Sequence, residues 1–144
     1  MLATAELIQP SDRKGFSLRM AAGPVADKSV PLILADPPVT VVTPGVPVQA
    51  GQTVRIRGAV KVQRPITGTR DGFQISDSLG GSIAAIHWTE AGEWKRFELL
   101  REITATDTLT LKLTLFGMGE VLIDDLSIQT QDATQATVLK APNP

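Results

Sequence analysis

Apolar and polar residues alternate with period two along most of the chain, and helical periodicity is almost absent. Phe16, Leu18 and Met20 are interleaved with Ser17 and Arg19. Val54, Ile56, Val60 and Val62 are interleaved with Arg55, Arg57, Ala59 and Lys61, and Gly58 interrupts the apolar set. Leu109, Leu111, Leu113 and Leu115 are separated by Thr110, Lys112 and Thr114. Such segments have one buried and one solvated face, the pattern of antiparallel sheets. Turn signals separate them at Ala50-Gly51-Gln52, Arg70-Asp71-Gly72, Leu79-Gly80-Gly81, Glu90-Ala91-Gly92-Glu93 and Gly117-Met118-Gly119. The pattern predicts strands near residues 4–8, 15–22, 39–42, 53–62, 72–77, 82–88, 94–103, 108–116 and 120–129.

Residues 23–48 read differently, with Pro37-Pro38 and a Thr43-Pro44-Gly45-Val46-Pro47 run. Proline removes a donor from the sheet ladder, so this stretch is expected to be edge strand and extended crossover. Many short strands with one long crossover point to an all-β fold, a two-sheet antiparallel β-sandwich of jelly-roll topology. The sandwich is expected over residues 1–129. Residues 130–144 are polar and patternless and are expected to form a tail or a linker to a following domain.

Composition narrows the function. At 144 residues the chain suits one domain, and 42% hydrophobic with 20% charged residues is ordinary for a folded protein. Fourteen basic against fifteen acidic residues give a net charge of −1, without the basic excess that nucleic acid or an anionic membrane requires. No apolar run approaches the roughly 18–20 residues of a membrane-spanning helix, so membrane insertion is not expected. The absence of cysteine excludes disulfides, thiolate catalysis and cysteine-based metal sites. The start, MLATAELIQPSDRK, lacks the basic and apolar regions of a signal peptide.

The C-terminal half carries three segments in series: Gly92-Glu93-Trp94-Lys95-Arg96-Phe97, then Leu109-Thr110-Leu111-Lys112-Leu113, then Val121-Leu122-Ile123-Asp124-Asp125-Leu126-Ser127-Ile128. They resemble the closing strands of jelly-roll carbohydrate-binding modules in the galactose-binding-like superfamily, where a G-x-W-x-x-F strand precedes an alternating strand and an IDDV-x-I strand. Upstream, Gly15-Phe16-Ser17-Leu18-Arg19-Met20 and Val48-Gln49-Ala50-Gly51-Gln52-Thr53-Val54-Arg55-Ile56 resemble two further strands of these modules. The Asn-rich opening strand of the family has no counterpart, and Val54 stands where the family places a tyrosine. The resemblance implies a non-catalytic, glycan-binding accessory domain, working beside the neighbouring domains of a larger exported protein. It also implies an extracellular or cell-envelope location.

Strand alternation requires one member of the Asp124-Asp125 pair to point inward, where an unpaired carboxylate is costly. In the resembling modules an Asp of this strand holds a structural calcium, which implies Asp124 and Asp125 as metal ligands, with Glu6 as a third. The alternative is a carboxylate bonded to backbone N–H groups or paired with Arg19. Sugar recognition uses an aromatic face with flanking polar groups. Trp88 with His87, Arg55, Arg57 and Lys61 is therefore the candidate ligand site, on the concave sheet. Trp94 is expected in the core or at the sandwich edge. His87, the single histidine, has no second zinc ligand near it. Arg64, Arg70, Asp71, Asp77 and Ser78 are expected at loop tips.

No G-x-S-x-G elbow, phosphate-binding G-x-x-x-x-G-K-[ST] loop, H-E-x-x-H pair or G-x-G-x-x-G turn is present. Glu90 and Glu93, a conceivable glycosidase pair, lie in one polar turn that implies no cleft. The expectation is a binding domain rather than an enzyme. Its rival is a structural or protein-interaction sandwich without a sugar site, favoured by an aromatic content of only 4%.

Overall fold

The computed structural model describes residues 2–23, 37–80 and 86–132. Among these residues there is no helix, and eleven strands account for the fold. They are β1 (Leu2–Ile8), β2 (Ser17–Gly23), β3 (Val39–Val42), β4 (Val46–Val48), β5 (Thr53–Thr67), β6 (Phe73–Asp77), β7 (Ile86–Trp88), β8 (Lys95–Glu102), β9 (Asp107–Leu109), β10 (Leu111–Leu115) and β11 (Met118–Gln131). A five-stranded antiparallel sheet runs β1-β2-β11-β5-β8, and a four-stranded one runs β3-β10-β6-β7. A short β4-β9 pair closes one end. The chain passes directly from one sheet to the other between β2 and β3, β5 and β6, β7 and β8, and β10 and β11, and by way of the β4-β9 pair between β3 and β5 and between β8 and β10. This is the jelly-roll sandwich that the alternation predicts.

The core lies between the sheets. Met20, Val54, Ile56, Val60, Val121 and Ile123 come from the five-stranded sheet and Phe73, Ile75, Leu111, Leu113 and Leu115 from the four-stranded one. Gly58, the gap in the apolar face of β5, stands opposite Phe97. A Cβ there would come within 2.7 Å of the Phe97 ring, so the missing side chain is the space that the ring fills.

Most predicted strands are found within a few residues. Two departures have physical causes. The 108–116 strand is split at Thr110, because Leu109 pairs with Val46 while Leu111 pairs with Asp77 in the four-stranded sheet. The 53–62 strand continues to Thr67 through Pro65. The ladder with β11 slips there, between Met118 opposite Thr67 and Glu120 opposite Arg64, and a proline is tolerated at such a break. The expected strand 82–88 is seen as Ile86–Trp88, since residues 81–85 lie outside the described residues. Within the proline-rich segment, β3 is an edge strand of the four-stranded sheet and β4 pairs with β9, while residues 24–36 lie outside the described residues. β11 runs two residues past the expected end at 129, and the expected tail beyond residue 132 lies outside the described residues.

The Asp124-Asp125 pair departs from simple alternation. Asp124 stands opposite Ala59 and Ser127 opposite Arg57, so three steps along β11 match two along β5. Asp125 takes up the extra residue with φ of 54°, a left-handed conformation that aspartate tolerates better than most residues. Before this bulge Val121 and Ile123 face the core, and after it Leu126 and Ile128 do. Neither carboxylate has to point inward, contrary to the expectation from strict alternation.

Candidate functional site

Each sheet turns one face outward, and both outward faces carry polar side chains. On the four-stranded sheet, Phe73, Ile75, Leu111, Leu113 and Leu115 face the core, so Gln74, Ser76, Lys112 and Thr114 face out. Register places them in two rows across the strands. Thr40, Thr114, Gln74 and His87 form one, and Val42, Lys112 and Ser76 form the other. Gln74, Thr114, Val42, Lys112 and Ser76 of these rows, with Thr110 and Phe116, line a groove of roughly 380 Å³. Its floor is deep for an outward face, since Gln74, Ser76 and Thr114 are only 7%, 6% and 2% exposed. The amide of Gln74 both donates and accepts, the hydroxyls of Ser76 and Thr114 do the same, and Lys112 adds a cation at the rim. Val42 and Phe116 supply apolar surface beside them.

The outward face of the five-stranded sheet is divided in two. Beyond the bulge, Thr53, Arg55, Leu100, Gln129 and Gln131 line an open trough of roughly 560 Å³. Beside it the Arg57 guanidinium holds Glu98 at 2.9 Å, and Arg55 lies 3.8 Å from the same carboxylate. The other half is crossed by the connection between β1 and β2. Asp12 of this loop accepts from Lys61 Nζ at 2.8 Å and from Trp94 Nε1 at 3.0 Å. The hydrogen bond from Lys61 is the main cause that holds the Asp12 carboxyl below its ordinary range, and the same bond raises Lys61. Arg13 stacks on the Trp94 ring, 4.4 Å from its centroid, and reaches Asp125 Oδ2 at 2.6 Å and Asp124 Oδ2 at 3.5 Å. Ser17 Oγ donates to Asp124 at 3.0 Å. Ala59 and Leu122, at outward positions of this half, are each only 1% exposed.

The sequence-derived ligand set does not form one surface. Trp88 stands opposite Phe73 and so faces the core, its ring 5.8 Å from Phe73 and 5.7 Å from Phe97. It is a half-buried wedge between the sheets. His87, one residue before it, points the other way, onto the four-stranded face beside Gln74, with Nδ1 3.2 Å from the Asp71 carbonyl oxygen. Arg55, Arg57 and Lys61 lie on the outward face of the five-stranded sheet, on the opposite side of the sandwich. Alternation explains the separation. Arg55 and Arg57 stand between the core residues Val54 and Ile56 and beyond, and His87 and Trp88 are neighbours that diverge.

Other expectations also change. Asp77 is not at a loop tip. Its side chain is fully buried between the sheets, where Oδ2 accepts from Arg101 Nε at 2.6 Å and Oδ1 from the backbone N–H groups of Leu79 and Gly80. Arg19 is not the partner of the aspartate pair, because it joins Glu6 at 3.0 Å and Glu120 at 2.8 Å. Of the two places expected for Trp94, the core is not the one taken: it lies just ahead of the edge strand β8, against Arg13. The groove residues Gln74, Ser76 and Thr114 were missed by sequence reasoning. The available signal was polar side chains alternating with core residues on two adjacent strands, which every solvated sheet face shows.

The residues named for calcium meet a guanidinium. Arg13 touches both Asp124 and Asp125, Glu6 belongs to Arg19, and among the described residues no three His, Cys, Asp or Glu side chains gather as a metal site. Calcium takes six to eight oxygen ligands. This donor set suits the guanidinium better than it suits the ion.

No protein-family model matches the chain, and no curated protein matches it in sequence. Solved structures do match in fold. A CBM4 structure superposes with a TM-score of 0.59 at 16% identity, covering 90% of this chain and 91% of that one. The CBM22-1–GH10 modules of a Clostridium thermocellum endo-1,4-β-D-xylanase, complexed with xylohexaose, give a TM-score of 0.55 at 14% identity. That match spans 88% of this chain and 24% of the xylanase chain. The fold is the jelly-roll β-sandwich of carbohydrate-binding modules.

Proposed function

We propose that this domain binds a glycan without cleaving it, in the groove on the outward face of the four-stranded sheet. The observation that carries the reading is the set of three outward-facing polar side chains, Gln74, Ser76 and Thr114, lying almost out of contact with solvent on the groove floor. A flat polar face of a soluble domain is ordinarily wet, whereas a recessed one offers directed donors and acceptors to a ligand's hydroxyl groups. Lys112 stands at the rim, and Phe116 gives the groove its aromatic surface, while Thr40 and His87 continue the row of Thr114 and Gln74 on the neighbouring strands. With so little aromatic stacking, affinity is weak, with a Kd of about 0.1–1 mM. The likeness to carbohydrate-binding modules supports a neutral oligosaccharide as ligand, of the kind bound in the xylohexaose complex. On this reading the domain is an accessory part of an exported protein. The xylanase match, in which the similar region is one module beside a hydrolase, is consistent with that arrangement. A structural calcium at Asp124 and Asp125 enters this reading only if Arg13 gives way to it.

Affinity electrophoresis through gels containing soluble polysaccharides tests the proposal. Retardation by at least one polysaccharide is expected, lost in Gln74→Ala and Lys112→Ala and kept in Arg55→Ala. Loss confined to Arg55→Ala moves the site to the trough on the other face. No retardation across a broad panel favours the structural or protein-interaction sandwich.

A further inference from the structure

The loop of residues 9–16 closes over the five-stranded sheet through charge, and the charge it brings is its own. Two ion-pair sets fasten it: Asp12 to Lys61, and Arg13 to Asp124 and Asp125. Arg13 sits between the loop and the bulge of β11, 112 residues away in sequence from Asp125. Its planar fork spans the two adjacent carboxylates, a geometry that a lysine cannot reproduce. The Trp94 ring lies against the guanidinium, and the indole N–H donates to Asp12, the residue before Arg13. The Arg13 side chain is thereby reduced to 21% exposure. With Asp125 in a left-handed conformation at the bulge, both carboxylates meet the same guanidinium.

We propose that Arg13 is a tethered cation standing in the place of a structural divalent ion, so that the loop closes over the sheet without metal. The two carboxylates and the Ser17 hydroxyl are hard oxygen donors of the kind a calcium ion uses, and a guanidinium from the same chain neutralises them instead. Removing that guanidinium leaves an adjacent pair of carboxylates whose mutual repulsion a divalent ion relieves.

Thermal melting of the intact chain tests this. The wild-type melting temperature is expected to be the same in excess EDTA and in millimolar calcium chloride. Arg13→Gln is expected to lower it by roughly 3–6 °C. In that variant calcium chloride restores part of the loss, and sodium chloride of equal ionic strength does not. Arg13→Lys keeps the charge but loses the fork, and falls between the two. In the double variant Arg13→Gln with Asp125→Asn the calcium response disappears. A wild-type melting temperature that moves with calcium or chelator overturns the proposal. So does an Arg13→Gln variant that melts like the wild type or ignores calcium.

Discussion

Replacing Arg101 by methionine breaks the ion pair that fastens one sheet to the other. Asp77 at the end of β6 and Arg101 near the end of β8 both face inward, since their strand partners Leu111 and Val54 are core residues. The Asp77 side chain has no accessible surface and Arg101 is 18% exposed. The carboxylate is held from three sides, by Arg101 Nε at 2.6 Å and by the N–H groups of Leu79 and Gly80 at 2.9 and 2.6 Å. A Cβ on Gly80 would come within 2.5 Å of the guanidinium, so the turn is packed directly on it. Removing one partner of a buried pair costs about 3–5 kcal/mol, and the partial access of water to Arg101 places this case near the lower end. Unfolding entropy scales to about 0.3 kcal/mol per degree for 144 residues, so about 3 kcal/mol lowers the melting temperature by roughly 10 °C. Asp77→Asn keeps an acceptor for the two N–H groups and costs less, about 1–2 kcal/mol. Urea denaturation of Arg101→Met, Asp77→Ala and the double variant completes the cycle, and the double variant should be more stable than the sum of the singles requires. Single losses below about 1 kcal/mol, or strict additivity, would refute the reasoning.

Three further outcomes follow from the packing and the charges. Gly58→Ala drives a methyl group toward the Phe97 ring and within 3.3 Å of Leu126, and should cost about 1–3 kcal/mol in a urea melt, whereas a neutral result means that the ring has room to move. Trp88→Leu removes the wedge against Phe73 and Phe97 and should destabilise the domain by about 2 kcal/mol, while the folded variant keeps its glycan retardation, because the indole faces the core and not the groove. Burial works to raise the Glu120 carboxyl, but the hydrogen bond and charge of Arg19, with Gln63 and Arg64, outweigh it and hold the group below its ordinary range. A depressed carboxylate contributes stability above its unfolded value of about 4.3, and loses it as pH falls through the folded value. Glu120→Gln should therefore be less stable than wild type by about 1 kcal/mol at neutral pH, and the gap should close in melts below about pH 4.

The sandwich was legible because alternation is a direct imprint of a sheet with one dry face. Val54, Ile56, Val60 and Val62 fall on the core side as their spacing predicts. The pattern fails where the ladder is irregular. Nothing local to Asp124-Asp125 announces a bulge, and the residue that neutralises the pair sits in an unpatterned Ser-Asp-Arg-Lys turn whose position depends on the whole five-stranded sheet. Asp77 looked like a turn residue because its partner Arg101 comes from the other sheet, a pairing that no spacing along the chain encodes. The candidate groove was hidden for a related reason. Gln74, Ser76 and Thr114 resemble any solvated strand face, and the depth of the recess shows only when the strands are assembled. Trp88 and His87 drew notice by residue type, yet adjacent strand residues serve opposite faces, and the indole went to the core.

Titration of the isotopically labelled domain with soluble oligosaccharides, followed by amide and side-chain chemical shifts, tests the glycan-binding proposal most directly. With a ligand that retards the protein in gels, saturable shifts should gather on Gln74, Ser76, His87, Lys112 and Thr114. The bulge at Asp125 and the trough around Arg55 and Gln129 should stay still. Shifts confined to the five-stranded face, or none at saturating oligosaccharide across the panel, would contradict it.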